Sequence, residues 1–369
     1  MSLPVGVPDL LSNAKLARAH AHAKRDLMRA QTEVATGEFQ NRFAGTGGDP
    51  TRLLALDRAL SRIEARTPNI AMARTRAAAT QGALGEMATA AGDLGARLLA
   101  GNRDGMIQGV KIVGAEAEHA LGQVIRALNT SVGGRSLFAG AAAERPAILT
   151  DASALVQVAK TALNHYADGA NPPPDGMTPV QAALAALDAY FSPIPGEAVA
   201  PWTEIGGDPA DPNQKETFAR DAYGGAETDA PPVELGDDDR LAYAVRADDA
   251  ALKSLVKNLA LAAAVAKSDF AGNPQQMTAL YDVAGKRLIA DNDELTILRA
   301  GVGLSEQRID RAQTRAAGER TALSMARADM VNRDPYDAAT ELTQIETQLQ
   351  MIYSITARAA NLSLLSFLR

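Results

Sequence analysis

Residues 335–369 read PYDAATELTQIETQLQMIYSITARAANLSLLSFLR. Apolar residues recur in this stretch at steps of three, four and seven. This spacing places them on one side of an α-helix and is typical of a helix that packs along another helix. The stripe predicts an assembly interface made of Leu342, Ile345, Leu349, Ile352, Ala359, Leu362, Leu365 and Leu368.

The opposite end of the chain carries the same pattern. Residues 9–36 predict a helix that ends near Gly37, and its stripe adds to the predicted interface Leu10, Ala14, Ala17, Ala21 and Met28. Two helices of about 30 residues, set apart from the body by hinges, have little else in the chain to cover their second faces. We therefore expect the two ends to lie side by side and to bury these stripes between copies of the chain.

Most of the chain between the two ends is also helical in pattern. Asp49-Pro50 and Asp334-Pro335 are typical helix starts, because Asp caps the first turn and Pro fits the first helical position. Residues 50–132 predict two long helices folded back on each other, the first of them kinked at Pro68. Helical spacing returns later in the chain, over 252–263 and 280–330.

The middle of the chain differs in composition. Twelve of the 18 prolines lie between 146 and 232, a density that excludes long helices. Residues 195–240 hold 12 Asp and Glu against three Lys and Arg. We expect short helices and one half-buried strand in this region. The predicted segments are helices over 152–166 and 178–191 and a strand with alternating Leu241, Tyr243 and Val245.

These patterns define the expected fold class. It is a mainly α protein, in which both chain ends build a long antiparallel helical coiled-coil rod and a small α+β insert occupies the middle. The expected domains are a terminal helical assembly domain (1–45 plus 331–369), a helical rod domain (46–140 plus 251–330) and a surface-exposed insert domain (141–250).

Composition narrows the function classes. Aromatic residues make up 4% of the chain and apolar residues 46%, so Ala, Leu and Val carry the burial, which suits long helical packing. A net charge of −7 argues against nucleic acid, whose phosphates need a basic surface. The absence of Cys excludes disulfides and thiolate metal sites. No apolar run reaches the ~18 residues of a membrane span, and no segment resembles a cleaved signal peptide.

The residue types that carry catalysis are not arranged for it. His20 and His22 are two apart on a predicted helix, so they point to different faces. Glu116 and His119 have the spacing of a metal-binding pair, but the sequence lacks the second such motif that a di-metal bundle needs. The glycines at 45–48 lack the Lys-Ser/Thr ending of a phosphate loop. We therefore predict no enzyme, no metal site and no cofactor.

Several segments resemble one known family. Residues 129–140, NTSVGGRSLFAG, are similar to the Asn-Thr-x-x-Gly-Gly-Arg-Tyr-Leu-Phe-Ser-Gly stretch of the hook-associated protein type 3 branch of the bacterial flagellin superfamily. Residues 80–84, TQGAL, resemble the Thr-x-Gly-Ala-Leu that follows that family's first long helix. The other positions similar to flagellins are Ala35-Thr-Gly37, Gly48-Asp-Pro50, and the closing segments 334–342 and 360–365.

The resemblance implies a structural role in the bacterial flagellum. The implied protein is a junction adaptor that connects the hook to the flagellin filament and assembles through its terminal helices. Flagellin itself, the filament subunit, is the alternative, because the ending Leu364–Arg369 is close to what flagellins carry. A coiled-coil scaffold or signalling protein is a more remote alternative from a different class.

The resemblance also implies partners and a location. Copies would associate in a ring layer beside a neighbouring hook-associated protein and flagellin, and an export chaperone would cover the C-terminal helix. The chain would leave the cell unfolded through the flagellar type III channel, without a cleaved signal peptide, and its terminal helices would become ordered on assembly. Its location would be extracellular, at the hook–filament junction. Neither nucleic-acid binding nor membrane insertion is expected.

Overall fold

The computed structural model describes residues 8–43, 50–101, 107–167, 169, 171–192, 201–202, 217–242 and 245–367, with the side chains of all of these except 8–13, 101, 107–111 and 359–367. The helices are α1 (Pro8–Thr36), α2 (Thr51–Gly101), α3 (Ile107–Leu128), α4 (Ala152–His165), α5 (Pro179–Phe191), α6 (Phe218–Asp221), α7 (Ala250–Val265), α8 (Pro274–Val331) and α9 (Pro335–Phe367). Short antiparallel hairpins pair β1 (Ser131–Val132) with β2 (Arg135–Ser136) and β3 (Val233–Glu234) with β4 (Arg240–Leu241). The protein is therefore mainly helical, as the sequence predicts.

One compact unit combines the two chain ends, Met1–Ala65 and Arg315–Arg369. Within it α1 packs against α9, which confirms that the two ends lie side by side. The first part of α2 and the last part of α8 also meet in this unit, where Arg327 Nε donates to Asp57 Oδ1 over 2.9 Å. The predicted helix bounds at this end are confirmed, since α1 ends at Thr36 and Gly37 follows with φ 71°.

The predicted start of α9 is confirmed in atomic detail. Asp334 Oδ1 accepts hydrogen bonds from the backbone N–H groups of Tyr336 (2.8 Å) and Asp337 (3.4 Å). These donors have no partner inside the helix, so the carboxylate caps them. The equivalent cap predicted at Asp49 lies outside the described residues.

The second compact unit comprises Arg66–Thr314. In it α2 and α8 run antiparallel. Arg74 Nε pairs with Asp310 Oδ1 over 3.0 Å near one end, and Gly95 lies against Ile289 further along. A Cβ on Gly95 would come within 3.1 Å of the Ile289 side chain, so glycine allows the two helices to approach closely. α2 continues through Pro68 as one helix.

The core of this unit surrounds α7. Eleven residues of α7 are buried, including Leu252, Leu255 and Leu259, which are fully covered. The second half of α7, residues 259–265, contains only Leu, Ala and Val, and a helical segment that is apolar on all sides belongs at the centre of its packing layer. α2, α3, α4, α5 and α8 contribute the surrounding residues of the same hydrophobic core. One polar pair lies within it: Asn258 Nδ2 donates to Asp291 Oδ2 over 2.7 Å.

The middle of the chain shares this core. The helices predicted over 152–166 and 178–191 are confirmed as α4 and α5. α5 begins with a capping box, in which Thr178 Oγ1 accepts from the backbone N–H of Gln181 and the Gln181 side chain accepts from the backbone N–H of Thr178. Trp202 Nε1 donates to Ala186 O over 2.6 Å, which attaches Trp202 to α5.

The predicted strand is only partly present. β4 holds Leu241 but extends over two residues, Arg240–Leu241. Leu241 and Val245 are both buried, in agreement with the predicted inward positions, and Tyr243 lies outside the described residues. The alternating pattern therefore marks two inward positions, of which Leu241 belongs to a strand and Val245 does not.

Candidate assembly interface

A narrow apolar seam joins α1 and α9. Ala23 and Ala30 of α1 are buried, and they meet Ile345, Leu349 and Ile352 of α9, with Leu27 and Leu342 packed at the edges. Alanine on one side lets the two helix backbones approach, while the branched side chains of the other helix fill the space between them. The apolar stripe of α9 therefore faces α1 within the same chain.

Backbone hydrogen bonds close one end of this helical pair. The backbone N–H of Phe39 donates to Val331 O, and that of Arg333 donates to Gly37 O, both over 2.9 Å. The segment after α1 thus pairs with the turn between α8 and α9, which includes a bridge between Glu38 and Asn332. We call this end, residues 26–43 with 329–346, the base of the pair.

Charged side chains reinforce the base. The Arg333 guanidinium forms ion pairs with Glu33 of α1 and Glu341 of α9, and Glu33 is 4% exposed. Arg29 Nη2 reaches Glu341 Oε1 over 2.9 Å. The hydrogen bonds from Arg333 hold the pKa of the Glu341 carboxyl below its usual range. Because Glu33 is buried, its charge depends on Arg333 for compensation.

The other end of the pair is held by one polar aromatic contact. His20 Nε2 lies 3.1 Å from the Tyr353 hydroxyl, and the two rings meet edge to face with centroids 5.2 Å apart. We call this end, residues 14–25 with 347–358, the tip of the pair. The contacts His20–Tyr353 and Arg29–Glu341 run in opposite directions along the two helices, so α1 and α9 are antiparallel.

The predicted α1 stripe lies on a different face from the seam. Ala14, Ala17 and Ala21 are exposed, and the Met28 side chain is 61% exposed. On α9, Met351 (54%) and Ile355 (52%) are exposed four residues apart, on the side away from the seam. Both sets are exposed, and we call the α1 set, Ala14, Ala17, Ala21 and Met28, the outer face.

The predicted interface residues thus fall into three groups. Leu342, Ile345, Leu349 and Ile352 lie in the seam, and Ala14, Ala17, Ala21 and Met28 lie on the outer face. The backbones of the third group belong to α1 or α9, but their side chains are not described: Leu10, Ala359, Leu362 and Leu365. Leu368 lies outside the described residues.

The segment 129–140, singled out in the sequence, forms a connected structure in the second unit. The Asn129 side chain donates to Ile148 O (2.9 Å) and accepts from the Ile148 backbone N–H (2.8 Å), which joins α3 to the chain after the hairpin. Gly133 and Gly134 form the hairpin turn with φ values of 63° and 75°, as such a two-residue turn requires. Phe138 is fully buried.

Gly140 ends this segment at a close backbone approach. Its φ is 59°, and a Cβ there would lie 2.5 Å from Thr228 O and 2.9 Å from Ala226 O. The neighbouring backbone bonds to the same loop, since Ala141 N–H donates to Thr228 O over 2.9 Å. Only glycine fits without displacing this loop.

One surface feature was not anticipated from the sequence. Ile297 and Leu304 on α8 are 66% and 67% exposed and lie seven residues apart, on one face of the helix. The heptad pattern of α8 predicts a core helix, and it does not separate buried from exposed apolar positions. The sequence signal that could have identified this surface is a second apolar spacing on the same helix, formed by Ile297 and Leu304.

Glu116 and His119, which have the spacing of a metal-binding pair, contact other side chains. His119 lies 3.2 Å from Gln123, and its neighbour Glu116 pairs with Arg97. Among the residues that the structure describes, no group of three His, Cys, Asp or Glu side chains is placed to hold a metal ion. Within the same described part of the chain, no helix combines the length and apolarity of a membrane crossing.

The fold defines a class of structural protein, in which helices from the two chain ends pair and expose an uncovered apolar face. Two family models match the chain: the bacterial flagellin N-terminal helical region over residues 9–143 and the bacterial flagellin C-terminal helical region over 290–368. Together they cover more than half of the chain and include α1, α2, α3, most of α8 and α9. The chain belongs to the bacterial flagellin superfamily, a family of structural proteins that are exported and self-assemble into the extracellular flagellum. No curated protein matches it.

Proposed function

We propose that this flagellar structural protein is the junction adaptor that connects the hook to the flagellin filament. The observation that carries the proposal is the segment 129–140, which resembles the corresponding stretch of hook-associated protein type 3. In this chain the segment's Asn makes two hydrogen bonds, its paired glycines form a turn at positive φ, its Phe is buried, and its final Gly lies at a close backbone approach. These features give the resemblance a structural basis. We expect a change at any of them to disturb the connection between α3 and the middle of the chain.

The proposal divides the chain by role. The terminal helical domain (1–45 plus 331–369) makes contacts between copies in a ring layer through its outer face. The rod domain (46–140 plus 251–330) gives stiffness, and the insert (141–250) faces outward. The neighbours are another hook-associated protein and flagellin, and an export chaperone covers the C-terminal helix before assembly. The cysteine-free sequence suits passage through a narrow type III channel, because no disulfide can form within it.

The second candidate is flagellin itself, which the closing segment Leu364–Arg369 favours. Both candidates use the same terminal helices, so the test must report where in the flagellum this chain is needed. Electron microscopy of cells that lack this gene, with an assay for flagellin in the medium, separates the two. Bare hooks with secreted flagellin support the junction adaptor. Hooks that carry junction proteins but no filament, with no flagellin in the medium, identify this chain as the filament subunit. Normal filaments contradict the junction adaptor and point to a redundant flagellin or to a protein outside the flagellum.

A further inference from the structure

A short hairpin from the middle of the chain contacts both α2 and α8. It consists of β3, β4 and the turn between them, residues 233–241, and we call it the strap. Asp237 Oδ1 accepts a hydrogen bond from Arg66 Nη1 of α2 over 3.1 Å, and Asp239 Oδ1 accepts one from Arg308 Nη2 of α8 over 2.7 Å. The two ends of the run Asp237-Asp238-Asp239 are thus paired with two different helices of the second unit.

The two contacts lie at different levels of the α2–α8 pair. Arg308 is close in sequence to Asp310, which pairs with Arg74, so it lies near the level of Arg74 on α2. Arg66 precedes Arg74 by about eight residues, which corresponds to about 12 Å along the helix axis. The strap therefore runs along the helical pair and touches both of its members.

The strap depends on the surface beneath it. Each of its strands has two residues, and an isolated hairpin of that size is not stable in water. Leu235 and Leu241 are nevertheless 3% exposed, while Glu234 and Arg240 beside them face solvent. One side of the strap is therefore apolar and covered, and its acidic turn is fixed by the two arginines.

The α2–α8 pair has little other support at this level. The core around α7 includes residues of α2 from Ala83 onward and residues of α8 up to Val302. The part of the pair that the strap contacts lies beyond both positions. Its buried residues are Ile70, Ala73 and Ala77 on α2 and Ile309 and Ala312 on α8. Because helices in proteins gain most of their stability from packing, a pair with so narrow a buried stripe benefits from a third element.

We propose that the strap is a conformational device: it closes on the α2–α8 pair through two ion pairs, opens as one unit when they are weakened, and leaves the adjoining helix segments less protected. The Asp237 side chain is 73% exposed and that of Arg308 is 50% exposed, so dissolved salt screens both pairs. The Arg66 side chain is only 16% exposed, and its Nε has no partner among the described residues, so Asp237 compensates a mostly covered charge. The device belongs to the folded chain itself and goes beyond the proposed place in the flagellum.

Amide hydrogen exchange of the purified full chain tests the strap. The reporters are the backbone N–H groups of Leu235 and Gly236, which both donate to Asp239 O, together with the amides of residues 66–77 and 305–313. The amides of α7 are the internal reference, because α7 lies in the core. At about 1 M salt, where the Debye length is about 3 Å, we expect the reporters to exchange about fivefold faster than at low salt. The α7 amides should exchange at the same rate in both conditions.

Neutral variants separate the two ion pairs from general charge effects. Asp237→Asn with Asp239→Asn removes both pairs at nearly constant side-chain volume, and it should show the fast exchange at low and high salt alike. Asp238→Asn is the matched control, because Asp238 lies between the two, is exposed and has no ion-pair partner among the described residues. We expect its reporters to exchange as in the native chain.

A charge exchange tests the pairing itself. Arg66→Glu should open the strap, and Arg66→Glu combined with Asp237→Arg should close it again, because the ion pair is restored with its charges exchanged. Native exchange rates in the double Asn variant, or equal acceleration by Asp238→Asn, would show that the two ion pairs do not hold the strap. Fast exchange confined to Leu235 and Gly236, with residues 66–77 and 305–313 unchanged, would show that the strap does not support the helices. Either result, or a charge exchange that fails to restore slow exchange, overturns the proposal.

Discussion

Arg333, in the turn between α8 and α9, forms an ion pair with Glu33 of α1, 300 positions away in the sequence. Glu33 is 4% exposed and also accepts a hydrogen bond from the backbone N–H of Gln40 over 3.1 Å. The same guanidinium reaches Glu341 and lies 5.7 Å from the centre of the Phe39 ring. One side chain thus connects both terminal helices and the segment after α1.

Replacement of Arg333 should loosen the base of the helical pair. Arg333→Met keeps the apolar stem but leaves the buried Glu33 carboxylate without a counter-ion, which costs about 3 kcal/mol. We expect hydrogen exchange of α1 and α9 amides to accelerate accordingly, while α7 amides stay unchanged. Arg42→Met is the matched control, since Arg42 is exposed and has no ion-pair partner among the described residues. Equal protection of the α1 and α9 amides from exchange in the Arg333 and Arg42 variants would show that the ion pair is not needed for stability.

A second prediction concerns the buried pair Asn258–Asp291. Burial is the main cause that raises the pKa of Asp291, with smaller opposing effects from Asn258, Ser254, Lys257 and Arg287. A carboxyl with a raised folded pKa contributes stability below its unfolded pKa of 3.8, and this contribution is lost as the pH rises through the folded value. Asp291→Asn should therefore stabilise the second unit at pH 7.

The magnitude follows from the hydrogen bonds. Asn258 Oδ1 is buried without a partner, and an amide at 291 supplies a donor that the carboxylate lacks. We expect a gain of about 1 kcal/mol in the free energy of unfolding at pH 7. Urea unfolding at pH 7 and pH 3 measures it, and the gain should shrink at pH 3. Asp293→Asn, at an exposed site on the same helix, is expected to have no effect. A gain that is independent of pH would contradict the burial argument.

Gly140 should not tolerate a side chain. Gly140→Ala places a Cβ 2.5 Å from Thr228 O at a positive φ, so the loop must shift or the backbone must change. We expect a loss of at least about 2 kcal/mol, measured by urea unfolding of the full chain. Gly301→Ala provides the contrast, because this helical glycine has open space around it and should gain about 1 kcal/mol. Similar effects of the two changes would show that space at Gly140 is not limiting.

The sequence predicts the helices well because their signals are local. The cap at Asp334, the end of α1 at Gly37 and the apolar spacing of α7 each depend on residues within a few positions. The face of α1 that meets α9 was not predictable in the same way. Alanines lie on several sides of this helix, so periodicity favoured Ala17 and Ala21, whereas Ala23 and Ala30 form the seam.

The polar contacts of the site were also beyond sequence reasoning. Glu33 and Arg333 have no sequence relationship that marks them as partners, and the pairing exists only because α1 and α9 are antiparallel in this register. Long-range pairing is thus the information that local patterns lack.

The distinction between seam and outer face gives the last prediction. Ile352→Asp buries a charge between α1 and α9, where the native side chain is 8% exposed, and should separate the two helices at a cost of about 3 kcal/mol or more. Ala21→Asp adds the same carboxylate to the exposed outer face and should leave the pairing intact. Hydrogen exchange of α1 and α9 reports the pairing, and the amount of chain in isolated flagellar structures reports assembly. We expect Ile352→Asp to lower both readouts and Ala21→Asp to lower only assembly, because a charge on an apolar contact surface opposes its burial against another copy. Normal assembly of the Ala21 variant would show that the outer face remains in solvent, and the contacts between copies would then have to lie on other surfaces.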